Sequence, residues 1–118
     1  MKIEIQYMPP NWNQYIKLER GSKYGANSLK QKEKGIVKYF MKGKRYTGNY
    51  PIEITFRPHF SSRRQDLDNF RYKGLLDGLV SAGVIKNDNL MHIQKITLEP
   101  VIDGLNYVEV EIKELEKK

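Results

Sequence analysis

The sequence predicts an α+β fold, an α/β sandwich in which a small mixed β-sheet packs against two helices. Two observations carry this prediction. Segments in which polar and apolar residues alternate, as in half-buried strands, occur at the start, in the middle and near the end of the chain. Between them lie two segments whose apolar residues recur with the period of a helix. Together they give the element order β-α-β-α-β-β.

The first half of the chain is predicted to hold one strand and one helix. Residues 2–7 (KIEIQY) alternate, and the MPPNWN segment ends the strand because proline has no backbone donor for a sheet. Residues 21–28 (GSKYGANS) have the composition of a loop. A helix is then predicted from Ser28, as its N-cap, to Lys42.

The second half is predicted to hold one helix and three strands. Residues 51–58 (PIEITFRP) form a strand, and His59 falls in the loop after it. Residues 69–82 carry the clearest helical stripe of apolar side chains. Residues 91–98 and 107–112 alternate and are predicted to pair as a hairpin across the DGLN turn.

Length and composition exclude several classes of protein. The 118 residues predict a single domain, residues 1–118. The chain has no apolar run of the ~18 residues needed to span a membrane and no signal peptide, so a cytoplasmic location is expected. Cysteine is absent and only two histidines are present, which excludes thiol catalysis and zinc–thiolate sites.

The net charge of +7 is unevenly distributed. Residues 17–46 hold ten Lys/Arg and two acidic residues, whereas residues 99–118 hold six acidic residues and three lysines. A basic segment of this kind suits a polyanion such as nucleic acid, with solubility as the alternative explanation. Four lysines at four-residue spacing follow one helix face, which favours an anion lying against it: Lys30, Lys34, Lys38 and Lys42.

The most informative motif is RRQDLDN, residues 63–69. The carboxylates of Asp66 and Asp68 are one residue apart, and at ~4 Å with an effective dielectric constant of about 20 they would repel by on the order of 4 kcal/mol. One interpretation is a turn in which Asp68 or Asn69 caps the following helix. The other is half of a metal site, because extended chain places both carboxylates on the same side.

A third carboxylate and a lysine are expected in the same area. Asp88 of KNDN follows the helix and its turn, where the chain could return beside the helix start, and Lys73 lies just over one turn into the helix. Oxygen ligands from Asp66, Asp68 and Asp88 would suit a hard cation such as Mg²⁺, with Mn²⁺ as an alternative. Arg63 and Arg64 beside this cluster would suit an approaching phosphate.

The wider pattern resembles the RusA-type Holliday junction resolvases, which are small dimeric endonucleases of bacteria and their phages. The resemblance rests on RRQDLDN, on KGLLDGL with its lysine and on AGVIKNDN, and PPNWNQY near the start is also similar. Two positions depart from the family pattern: one extra residue precedes Lys73, and Asn87 replaces the first acid of an acidic pair.

The resemblance implies a RusA-like homodimer that cuts four-way (Holliday) junctions with Mg²⁺ by paired symmetric nicks, in DNA recombination and repair. It places the metal-binding aspartates on Asp66, Asp68 and Asp88 and the essential lysine on Lys73. DNA-binding residues are expected at Arg63, Arg64, Lys30, Lys34 and Lys38. The competing hypothesis is a non-catalytic basic DNA-binding accessory protein of a phage or prophage, in which the aspartates only cap the helix.

Overall fold

A computed structural model describes residues 1–116, with Lys23 by its backbone alone. It contains a five-stranded mixed sheet and three helices, which confirms the predicted α+β fold and adds one helix to the two expected. The strands are β1 (Lys2–Ile5), β2 (Ile52–Phe60), β3 (Ile93–Leu98), β4 (Val101–Ile102) and β5 (Val108–Glu114). The helices are α1 (Trp12–Gly21), α2 (Lys23–Met41) and α3 (Lys73–Ser81), and a single 3-10 turn covers Leu67–Asn69.

Strand β2 lies at the centre of the sheet. It pairs in parallel with β3 and β4 and antiparallel with β5, and β5 pairs antiparallel with β1 at the edge. The predicted hairpin between β3 and β5 is therefore wrong, because β2 lies between them. Alternation determines which face of a strand is buried but does not determine its neighbour.

The inner residues of β2 form the middle of the core. Ile54 and Phe56 are fully buried, and the strand continues through His59 instead of ending before it. His59 donates its backbone N–H to Tyr107 O (2.8 Å), and its ring stacks on the Tyr107 ring at 4.0 Å between centroids. The loop prediction for His59 is thus wrong, since the returning chain before β5 supplies it with a partner.

Helix α1 was not predicted, and α2 begins earlier than expected. A capping box starts α1: Asn11 Oδ1 accepts from Gln14 N and Gln14 Oε1 accepts from Asn11 N, both at 2.9 Å. Ser22, and not Ser28, caps α2 by accepting from Gly25 N at 3.1 Å. Residues 23–28 are helical because this cap starts the helix there and Ala26 is buried, so the loop prediction for them is wrong.

Helix α3 packs closely on α2, and it begins at Lys73 instead of Asn69. Phe70 has an extended backbone (φ −68°, ψ 122°) and separates the 3-10 turn from α3. Gly78 allows the close approach, because a Cβ there would lie 2.6 Å from Val37 Cγ2 of α2. None of these helices, within the part of the chain described, is long and apolar enough to cross a membrane.

Candidate active site

The Asp66 and Asp68 carboxylates are exposed on the segment between β2 and α3. Asp66 precedes the 3-10 turn without a side-chain capping hydrogen bond, and Tyr72 occupies the N-cap position of α3, also without one. The prediction that Asp68 or Asn69 caps the helix is therefore wrong. Neither aspartate forms an ion pair within residues 1–116. Helix capping does not explain why two acidic residues stand here.

Lys73 lies between two other carboxylates at the start of α3. Its Nζ is 2.9 Å from Asp77 Oδ1, one turn along the helix, and 3.3 Å from Asp88 Oδ2. The hydrogen bond to Asp77, followed by the attraction of both carboxylates, raises the pKa of the Lys73 ammonium. The side chain is 50% exposed, so a protonated amine is presented to solvent beside Asp88.

The three aspartates do not form one cluster. Within the described residues, no group of three or more Asp, Glu, His or Cys side chains is arranged to hold a metal ion. The donor chemistry nevertheless fits Mg²⁺, which commonly binds through one or two carboxylates and keeps several waters. Asp66 and Asp68 supply such oxygens, whereas Asp88 has the Lys73 ammonium as its partner.

The predicted DNA-binding cations lie in two places. Arg63 and Arg64 are exposed in the turn just before Asp66. Lys30 and Lys34 of α2 line a cavity of about 220 Å³ together with Lys73 of α3. Lys38, one helical turn further along α2, is exposed and does not line this cavity.

A second cavity, of about 210 Å³, adjoins Asp66. Its polar lining comes mainly from carboxamides, those of Asn11, Gln14, Gln65 and Asn69 among them. Carboxamides both donate and accept hydrogen bonds, so this cavity offers neutral polar contacts next to an exposed carboxylate.

A buried ion pair, which the sequence reasoning missed, lies beside the cavity that Lys73 lines. Arg71 Nη2 donates to Glu33 Oε2 at 2.5 Å, and the two residues are 2% and 0% exposed. Tyr7 donates its hydroxyl to the same Glu33 oxygen (3.0 Å), and Arg71 Nε donates to Pro10 O (3.1 Å). Burial and the nearby Glu33 charge raise the pKa of Tyr7. The available signal was Glu33 itself, the only acidic residue between positions 20 and 52.

Fold and site together define a small α+β protein that presents acidic side chains and a lysine on a basic surface. The family model for endodeoxyribonuclease RusA matches residues 4–113. Because that match covers most of the chain, the protein belongs to the RusA endodeoxyribonuclease family, a family of nucleases that acts on branched DNA in recombination and repair. A comparison with curated proteins gives no match.

Proposed function

We propose that this protein is a Mg²⁺-dependent endodeoxyribonuclease that resolves four-way DNA junctions by paired symmetric nicks. The observation that carries the proposal is the family match across residues 4–113, which includes the whole DLDN–lysine–Asp88 pattern. The exposed pair Asp66 and Asp68, for which the described residues offer no capping role, supports it further.

We assign the residues of the site to three roles: binding the metal ion, contacting the scissile phosphate and binding the DNA backbone. Asp66 and Asp68 would hold Mg²⁺, and Asp88, whose partner is the Lys73 ammonium, would position that lysine. The bound ion would polarise the scissile phosphate and lower the pKa of an attacking water. Lys73, kept protonated by Asp77 and Asp88, would contact the negative charge that develops on the phosphate.

The remaining cations would position the DNA without reading its sequence. Phosphate contacts from Arg and Lys set register and orientation and carry no base information. Arg63 and Arg64 stand next to Asp66 and would bind the strand close to the cut, while Lys30, Lys34 and Lys38 would bind it along α2. Neutralising even four to six phosphates predicts a log–log salt slope of about −4 to −5 for junction binding.

Symmetric resolution also requires two active sites. A four-way junction is two-fold symmetric, and a two-fold homodimer is the simplest arrangement that presents two identical sites to it. We therefore propose a homodimer, to be tested by sedimentation at micromolar concentration with and without junction DNA. A strict monomer in both conditions would contradict paired nicking.

The decisive experiment compares cleavage of a synthetic four-way junction and of linear duplex in Mg²⁺. Asp66→Asn, Asp68→Asn and Asp88→Asn should each abolish cleavage while junction binding stays intact or tightens, since each removes a negative charge facing the DNA. Lys73→Ala should lose about a hundred-fold or more in rate with little change in affinity. Glu19→Gln, which neutralises an exposed acid on α1, is the matched control.

Two outcomes would reject the proposal. If all three Asn variants cut at the parental rate, the aspartates are not catalytic. If the parent binds DNA with the expected salt dependence but cuts nothing in Mg²⁺ or Mn²⁺, the chain is a non-catalytic DNA-binding protein.

A further inference from the structure

The cavity beside Lys73 combines cations with an aromatic wall. Four cationic side chains and one carboxylate, that of Asp77, contribute to its lining. The cations and aromatic residues are Lys30, Lys34, Arg71, Lys73, Trp12 and Tyr15. Arg71 is paired with Glu33, and Lys73 with Asp77 and Asp88, so the positive charge without an ion-pair partner in the described residues comes from Lys30 and Lys34. Such charge in a concave site favours an anionic ligand, and the aromatic wall favours one that also has a flat apolar part.

Besides the lysines, the cavity is lined by one buried cationic side chain, that of Arg71. Its side chain is only 3% exposed, yet it lines the cavity. Nε and Nη2 are engaged with Pro10 and Glu33, and within the described residues Nη1 has no hydrogen-bond partner. Glu33 balances the charge of Arg71, so Arg71 contributes a donor in a fixed position, Nη1, which suits a phosphate oxygen.

The Tyr15 ring contacts three other residues that line the cavity. The Arg71 guanidinium lies 4.8 Å and Lys30 Nζ 5.8 Å from its ring centroid. Trp12 meets the same ring edge-on at 5.9 Å between centroids. Tyr15 is 7% exposed, so the ring left for a ligand is that of the half-buried Trp12.

We propose that this cavity binds one unpaired nucleotide of a DNA strand, with its base against Trp12 and its phosphate on Lys34 and Arg71. The volume of about 220 Å³ is below the ~300–1,000 Å³ usual for free small molecules and cofactors, which favours one residue of a polymer. The inference rests on the proposed function, because it assigns the cavity to a strand that leaves the branch point next to Lys73.

Trp12 allows a direct test, since it is the only tryptophan of the chain. The probe is a 5′-phosphorylated thymidine tetranucleotide, added to the full chain in EDTA so that cleavage does not interfere. Stacking of a base on the indole should quench Trp12 fluorescence in a saturable way. A blunt hairpin duplex at equal nucleotide concentration should quench much less, and inorganic phosphate should not quench at all.

Matched variants locate the binding site. Lys34→Ala should weaken tetranucleotide binding about ten-fold, measured by anisotropy of a labelled probe, whereas Lys32→Ala, at an exposed position of the same helix that does not line the cavity, should change it less than about three-fold. Trp12→Leu should lose roughly five-fold or more, because base–aromatic stacking contributes ~1–3 kcal/mol per base. Trp12→Phe should retain most of the affinity, which separates stacking from a folding defect.

Several results would overturn the inference. These are an unchanged Trp12 signal when anisotropy shows saturation, equal losses for Lys34→Ala and Lys32→Ala, or equal quenching by duplex and single strand. Thymidine monophosphate binding as tightly as the tetranucleotide would assign the cavity to a free nucleotide instead. The assay involves no cleavage, so quenching without nuclease activity rejects only the proposed function, and junction cleavage without quenching rejects only this inference.

Discussion

Removal of the Arg71 guanidinium should destabilise the fold more than most single substitutions. In Arg71→Met the fully buried Glu33 carboxylate keeps only the Tyr7 hydroxyl, at 3.0 Å, as a partner. Its Oε1 already lacks a hydrogen-bond partner within the described residues. Breaking a buried ion pair by removing one partner costs about 3–5 kcal/mol.

That loss is a large share of the total stability, which for a domain is typically ~5–15 kcal/mol. Urea unfolding followed by circular dichroism would measure it, with the slope of the transition checked for constancy. The double variant Arg71→Met/Glu33→Leu should recover most of the loss, because replacing both charges by apolar groups removes the uncompensated carboxylate.

Two results would refute this reasoning. A loss below about 1 kcal/mol in Arg71→Met would mean that Glu33 finds water or another donor and that the pair contributes little. A double variant no more stable than the single one would mean that the lost packing of the arginine stem, and not the buried charge, causes the destabilisation.

Three further perturbations test other parts of the structure. Gly78→Ala should destabilise the fold by about 1–3 kcal/mol, because the added Cβ would meet α2. Gly35→Ala, which has open space around its Cβ, should stabilise the fold by up to ~1 kcal/mol. Thermal melts that rank the two variants the other way would contradict the close helix packing. Arg57 hydrogen-bonds Glu111 at 2.8 Å and thereby lowers the pKa of that carboxyl below its ordinary 4.5. The stabilisation from this pair is therefore present above pH 4.5 and lost as the pH falls through the lowered pKa of Glu111. Arg57→Met should be less stable than the parent by about 2 kcal/mol at pH 7, and this difference in the free energy of unfolding should shrink in acid. A difference that is independent of pH would contradict this assignment. Mg²⁺ at ten times its Kd should stabilise the parent by about 1.4 kcal/mol and Asp66→Asn by much less, as calorimetry can measure, and equal shifts would place the ion elsewhere.

The strands were more predictable from the sequence than the helices. Alternation located β1, β2, β3 and β5 to within a few residues, because successive residues of a half-buried strand face the core and the solvent in turn. The start of α2 at residues 23–28 was missed because Gly25, Asn27 and Ser28 have the composition of a loop, while the Ser22 cap and the burial of Ala26 decide for helix. Local composition does not contain that tertiary contact.

The site shows the same division between local and distant information. The DLDN motif and Lys73 are local patterns and could be found by reading along the chain. The Arg71–Glu33 pair joins residues 38 positions apart, and the cavity lined by Trp12 and Lys73 joins α1 to α3. Such contacts follow from how the elements pack, which periodicity alone leaves undetermined.

The position of β5 also bears on how the chain is made. During translation β1 and β2 emerge early, yet in the sheet they are separated by β5, residues 108–114. Until that segment leaves the ribosome, β1 has no sheet partner and one edge of β2 is open to other nascent chains. A polypeptide cut short before Val108 would therefore not close its sheet, so the nuclease family's fold is assembled here only after nearly all of the described residues have been synthesised.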